Sequence, residues 1–289
     1  MKKGIISLLG VALISCAAPV KYIEKPSDEI GGLFSHYNER ASFVDSSIRY
    51  ENNNSSLSDS KLAGILPSVE MLVEKAYFED SLGEKIEFES SCSATTIAED
   101  EQFHYLLTAK HCVTMPKEYA TFFGTFKRIS EPRFEIRGIK DLSYISVVTG
   151  FEDADYALLK TPRSDFLVAM DAPIGNSDVI EAGDYLYTIG FPLGLDKVVS
   201  DGIIGAPRLP TEVEGEYNYN GFLFSSPISG GNSGCGSWGV YRGELHFLGI
   251  TSATYPRGQN LNVGYRGLDI VRDMEKRGLR LRLQLAVEG

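Results

Sequence analysis

Ser229-Gly230-Gly231-Asn232-Ser233-Gly234-Cys235-Gly236 sets one hydroxyl, that of Ser233, among four glycines. Glycine takes backbone angles that other residues avoid and lets a second molecule approach the main chain closely. A serine in that setting can present its oxygen beside backbone N–H groups aimed at a point where negative charge develops. The same letters also fit a Gly-rich hairpin whose serine merely fills a turn. The surrounding text decides between the two.

That text is strand-rich. From Leu66 onward, short runs alternate with turn signals: Val69 to Tyr77, Ile86 to Glu89, Cys92 to Ile97, Phe103 to Thr108, Tyr119 to Phe126 and Phe134 to Ile139. Ile145 to Val148, Tyr156 to Leu159, Tyr185 to Gly190 and Leu245 to Ser252 continue the series. Many short strands at near-regular spacing predict an all-β barrel or sandwich. Helical spacing is confined to Leu268 to Arg277, with Leu268, Val271 and Met274/Glu275 on one face and Gly278 as the stop. Arg280 to Val287 alternates and predicts an edge strand. A Gly-x-Ser-x-Gly elbow needs a strand-to-helix setting, which the Ser233 region lacks, so an esterase-like acyl transferase is disfavoured.

The 289 residues allow one large domain or two small ones. With 43% hydrophobic and 23% charged residues the chain has material for a core and is not a disordered type. A net charge of −11 argues against a nucleic-acid surface. At the start, Lys2 and Lys3 precede an apolar run from Ile5 to Ile14, too short to span a bilayer and shaped like a secretory signal. Leu13-Ile14-Ser15-Cys16 resembles the bacterial lipobox, which implies a signal over 1–16 and a lipidated Cys16 as the new N-terminus. A simple cut after Ala17 or Ala18 is the alternative. The expected address is the bacterial cell envelope, lipid-anchored, on the periplasmic or cell-surface side. Residues 17–62 are polar and irregular, with a short helix near Ile30 to Tyr37, and read as a flexible tether that spans roughly 35–40 Å. His36 lies there as solvated surface. Residues 63–289 read as the folded domain.

Three segments bring the chemistry together. Leu106-Leu107-Thr108-Ala109-Lys110-His111-Cys112 ends a strand on a histidine. Asp153-Ala154-Asp155-Tyr156-Ala157-Leu158-Leu159 opens a strand on an aspartate. The glycine-rich stretch supplies Ser233. A serine hydroxyl is a weak nucleophile until a base takes its proton. Histidine has the pKa to take that proton and return it. A buried carboxylate fixes the histidine tautomer and stabilises its cation.

On these residues the chain resembles the chymotrypsin-fold serine peptidases, and most closely the bacterial exported branch with the HtrA and glutamyl endopeptidase types. Thr108 to Cys112 resembles the histidine box, Asp155 to Leu159 the aspartate box and Gly231 to Gly234 the serine box. Gly190-Phe191-Pro192-Leu193-Gly194 with Ser200-Asp201-Gly202-Ile203-Ile204 is similar to a turn and strand of the HtrA type. The resemblance runs from Leu66 to Asp273. It implies two six-stranded antiparallel β-barrels with a C-terminal helix, and a serine endopeptidase that acts on polypeptides without a cofactor. Ser233 is then the nucleophile, His111 the base and acid, Asp155 the orienting carboxylate with Asp153 as rival, and the N–H groups of Gly231 and Ser233 the oxyanion hole. A Cys92–Cys112 disulfide is implied, closing a loop of about 20 residues worth roughly 3 kcal/mol. Cys235 is left over as a small buried residue.

The chain departs from the animal members of this fold at Asn232, where they carry an Asp that pairs with a new N-terminus. An amide cannot form that pair, so the oxyanion hole is expected to be set without N-terminal cleavage. Pro227 stands where an Arg- or Lys-selecting pocket needs an Asp. Thr251 stands where glutamyl endopeptidases carry a His. Pro227, Ile228, Ser252, Ala253 and Gly264 therefore form a modest, neutral pocket for a small or medium apolar side chain. No Cys or His partners stand at ligand spacing near His104 or His246, which read as structural, and no metal site is expected. Trp238 and Tyr217-Asn218-Tyr219 read as packing or groove residues. No PDZ domain is expected after Asp273. The other class that fits is an inactive relative that binds envelope proteins through the same cleft.

Overall fold

In the computed structural model, which describes residues 59–121, 124–139, 146–150, 154–213, 216–255, 258–279, 281 and 283, the chain forms strands almost throughout. The signal segment, Cys16, the tether with its expected helix, Asp153 and most of the expected edge strand at the C-terminus lie outside those residues.

The first half grows from one hairpin. β1 (Val69–Glu79) pairs antiparallel with β2 (Lys85–Glu99), in register from Val69 opposite Thr95 to Glu79 opposite Lys85. That unbroken ladder joins into one strand the two runs that the sequence separates between Glu89 and Cys92. β2 pairs with β3 (Phe103–Thr108), whose span matches the expected run. The far edge of β1 carries two partners. β5 (Gly124–Arg128) pairs near Phe78, and β6 (Arg133–Ile136) pairs near Leu72. β4 (Glu118–Thr121) forms a hairpin with β5, so Tyr119 to Phe126 is two strands rather than one. β7 (Ser146–Gly150) and β8 (Ala157–Pro162) complete an eight-stranded sheet next to β3.

The second half is a closed barrel in the order β10-β11-β14-β13-β12-β9. Its strands are β9 (Tyr185–Gly190), β10 (Val198–Val213), β11 (Glu216–Phe224), β12 (Gly236–Tyr241), β13 (Glu244–Thr254) and β14 (Asn262–Arg266). All pairings are antiparallel. The architecture is the expected all-β, chymotrypsin-like one. Only the second half has the expected closed six strands; the first is an eight-stranded sheet with no closing pair among the described residues.

One apolar cluster joins the halves. It includes Val69, Met71, Leu107 and Tyr156 from the first and Ile189, Trp238, Phe247 and Ile250 from the second. Burying a side chain such as Val, Ile or Phe stabilises by roughly 1.5–3 kcal/mol, so the two halves are held by a shared core. Trp238 is fully buried and meets the Phe247 ring edge-on at 5.9 Å, a packing role. α1 (Asp59–Ile65) starts ahead of the expected domain start at 63: Leu62 packs on the shared core and Lys61 pairs with Glu244. α2 (Gly267–Lys276) buries Leu268, Ile270, Val271 and Met274 and leaves Glu275 outside. It ends at Lys276, and the expected stop, Gly278, follows two residues on at φ +80°. Asp178 anchors α2 to the barrel by pairing with Arg208, Arg266 and Arg272.

Candidate active site

Strand register brings His111 to Asp155. β3 and β8 are antiparallel neighbours, with Thr108 opposite Ala157. The residues just past that pair therefore converge. After Thr108 the chain enters a 3-10 turn, Lys110–Val113, and a disulfide from Cys112 to Cys92 on β2 pins it. Asp155 then takes hold of His111 twice. Its Oδ1 accepts the His111 backbone N–H at 2.9 Å and its Oδ2 pairs with ring Nδ1 at 2.7 Å. A carboxylate only accepts, so Nδ1 carries the proton and Nε2 is the ring atom left as base. Burial works to lower the His111 pKa, but the hydrogen bond and charge of Asp155, helped by the charge of Glu74, leave it raised above its ordinary value.

Ser252 connects this pair to Ser233. The Ser252 hydroxyl donates to Asp155 Oδ2 at 2.5 Å, and its carbonyl accepts from Ser233 Oγ at 3.4 Å. Ser252, expected in the pocket wall, turns its hydroxyl to the carboxylate. Ser233 is half-buried, and its one hydroxyl bond is to that carbonyl rather than to the imidazole.

The loop around Ser233 needs its glycines. Gly231 sits at φ +94°, and a Cβ there would lie 2.3 Å from the Phe191 carbonyl oxygen. Gly234 sits at φ +81°, and its Cβ would lie 2.3 Å from both the Ser93 carbonyl oxygen and Thr108 Oγ1. The Gly230 carbonyl accepts from Leu193 N–H at 2.5 Å, and the Asn232 carbonyl accepts from Cys235 N–H at 2.9 Å. In a planar trans peptide the N–H points opposite to the carbonyl. The N–H groups of Gly231 and Ser233 therefore point away from these bonds, and neither has a partner among the described residues. Two such donors beside one hydroxyl can hold an oxyanion.

Glu74 is a buried acid that sequence reasoning missed, though a charged letter inside an apolar strand signals it. Its Oε1 accepts from Met115 N–H at 3.0 Å, just beyond the His111 turn, while Arg128 donates to the Met115 carbonyl at 2.6 Å. Burial pushes Glu74 up to about 7, against the pull of the Met115 hydrogen bond and the Arg128 charge.

The expected pocket residues lie on neighbouring segments. Pro227 is exposed and its carbonyl accepts from Ser200 Oγ at 3.0 Å. Ile228 packs against the cluster of Leu186, Ile204 and Phe222. Ala253 is half-buried on β13. Gly264 is opposite Thr251 and Phe222, and the Phe222 ring fills the space where its Cβ would stand, 2.5 Å away.

Cys92, Cys112 and His111 place their ligand-type atoms within 4.8 Å of one another. Both sulfurs are spent in the disulfide, so this group offers no thiolate to a metal. Cys235 is a buried free thiol beside Thr251 Oγ1, pushed up to about 12 by burial. His104 lies between the Ser164 carbonyl and Glu99, and His246 packs on Tyr241, both structural placements.

Comparison with known proteins bears on the fold and the family. Among curated proteins, the chain is 37% identical over 115 residues to the magnetosome formation protease MamE of Paramagnetospirillum magneticum, covering 39% of this chain and 15% of MamE. It is 37% identical over 117 residues to the periplasmic serine endoprotease DegP of Salmonella typhimurium, covering 37% of this chain and 23% of DegP. The chain thus spans less than a quarter of either relative. Among solved structures, the HtrA-type protease AlgW with a decapeptide superposes with a TM-score of 0.54 at 21% identity, over 77% of this chain and 69% of AlgW. That likeness shows the fold. Residues 92–245 match the trypsin-like peptidase domain, more than half of the sequence, and the chain belongs to that family.

Proposed function

We propose that this chain is a serine endopeptidase that cuts exported polypeptides through an acyl-enzyme on Ser233. The observation that carries the reading is the double hold of Asp155 on His111, with Ser233 linked to the same carboxylate through Ser252. For the reaction Ser233 Oγ exchanges the Ser252 carbonyl for Nε2 of His111. Catalytic hydrogen bonds are often long in an empty site and tighten around substrate. His111 takes the hydroxyl proton as Oγ attacks the carbonyl carbon. The resulting oxyanion is received by the N–H groups of Gly231 and Ser233. His111 gives its proton to the leaving amine, and the C–N bond breaks. Water then repeats the sequence, with His111 again as base, and releases the acid from Ser233.

Support for polypeptide substrates comes from AlgW, whose structures hold a decapeptide or a tripeptide. The name of DegP places that relative in the periplasm, which favours an exported address here, with Cys16 as lipid anchor and residues 17–62 as tether. We assign Pro227, Ile228, Ser252, Ala253 and Gly264 to a pocket for a small or medium apolar side chain.

A second reading, an inactive binding module, draws on one observation: Ser233 Oγ bonds the Ser252 carbonyl and not the imidazole. Fragment analysis of an envelope-protein mixture treated with wild type or Ser233→Ala separates the two. The endopeptidase reading expects new fragment ends after small or medium apolar residues, absent with the variant. Identical fragment sets would leave only the binding module.

A further inference from the structure

Ser93 is not among the residues that peptide chemistry requires, yet it touches the reacting loop at two places. It lies on β2, in the first half, and is fully buried. Its N–H donates to the Ser233 carbonyl at 2.8 Å. Its hydroxyl donates to the Gly231 carbonyl at 2.8 Å and accepts from Phe191 N–H at 3.0 Å. Its own carbonyl accepts from Thr108 Oγ1 at 2.7 Å. Every polar atom of the residue is engaged.

We propose that Ser93 is the positioning residue that holds the Gly231–Ser233 backbone with its two free N–H groups ready for an incoming carbonyl. The proposal rests on the peptidase reading for its catalytic consequence. Four successive peptide units run from Gly230 to Gly234. The first and third carry the free N–H groups. The second and fourth have their carbonyls on Ser93, so the third is fixed at both ends. The first is fixed indirectly: Ser93 Oγ anchors Phe191 N–H, and the turn that follows presents Leu193 N–H to the Gly230 carbonyl. The local packing leaves room for that hydroxyl. A Cβ on Gly190 would stand 2.9 Å from Ser93 Oγ and 2.6 Å from Asn232 Oδ1. Asn232 carries no charge with which to set the loop by an ion pair; the Ser93 hydroxyl supplies a neutral tie from the opposite half.

Ser93→Ala takes from Phe191 N–H and the Gly231 carbonyl the one partner each has among the described residues. An interaction felt only as the oxyanion forms lowers kcat and leaves KM. The expected fall in kcat is about 10–100-fold, less than the loss of a whole donor, with KM within about 3-fold. A peptide boronate, which mimics the tetrahedral state, should weaken in parallel, and a product peptide should not. Ser93→Thr keeps the oxygen and should recover most of kcat. Thr108→Val removes a bond to the same residue while sparing its hydroxyl, and so matches a general loss of stability. Hydrogen–deuterium exchange reads the positioning without turnover: peptide 229–235 should exchange faster in Ser93→Ala than in wild type or Thr108→Val. Unchanged exchange there overturns the proposal, as does unchanged kcat beside an active wild type. A wild type that neither cleaves nor binds the boronate sinks the peptidase reading instead, and the exchange experiment still decides the role of Ser93.

Discussion

Asp155 grips His111 at two atoms, backbone N–H and ring Nδ1, at 2.9 and 2.7 Å. One contact orients the ring and the other fixes the turn that carries it. The base must be neutral to act, so kcat/KM should rise with pH through the raised His111 pKa, with its midpoint above 6.5. Asp155→Asn removes the charge and the Nδ1 acceptor preference. It should lower kcat by about 10⁴-fold and move the remaining acid limb downward. A pH–rate profile of both proteins checks this; an unmoved limb contradicts it.

Glu74 makes a stability prediction of the opposite kind from most carboxylates. Its folded pKa is raised from 4.5 to about 7. The folded state therefore holds this proton more tightly, and stability falls as pH rises between those values. Glu74→Gln keeps an acceptor for Met115 N–H and loses the titration. Thermal melts should show the variant gaining on wild type from pH 5 to pH 8. A constant difference across that range would refute the assignment.

Asp178 is burdened with Arg266, which has no exposure, as well as Arg208 and Arg272. Burial works to raise its pKa, but Arg272 and Arg266 hold it at about 2. The stabilisation is present above about 3.8 and lost as pH falls toward about 2. Asp178→Asn takes from the buried Arg266 guanidinium one of its two carboxylates, leaving it Asp269 and the Ser177 carbonyl, and should cost about 3 kcal/mol, or roughly 6–12 °C in Tm. Calorimetry at neutral pH tests it.

The Cys235 thiol, pushed up to about 12 and fully buried, should resist iodoacetamide in the folded protein and react after denaturation. Mass spectrometry before and after denaturant reads the difference. Rapid labelling of the native protein would contradict the placement.

The sequence made some of this legible for physical reasons. His111 and Asp155 flank neighbouring strands with clear apolar runs, so their meeting follows from the pairing of β3 and β8. β12 and β14 escaped the reading because both faces are buried and alternation vanishes, as in Gly236 to Val240 and Asn262 to Arg266. The first half could not be counted from its letters because β1 takes two partners along its far edge. Ser93 and Ser252 are short polar residues whose roles depend on hydroxyl direction, which no spacing encodes. α1 is only seven residues and follows Asn/Ser-rich text, so its pattern is drowned by the tether.

The most direct test treats folded protein with a fluorophosphonate and maps the adduct by intact mass and peptide sequencing. Stoichiometric modification of Ser233, abolished by His111→Ala, is the expected result. A correctly folded wild type that stays unmodified, or that is modified elsewhere, would contradict the assignment of Ser233 as nucleophile.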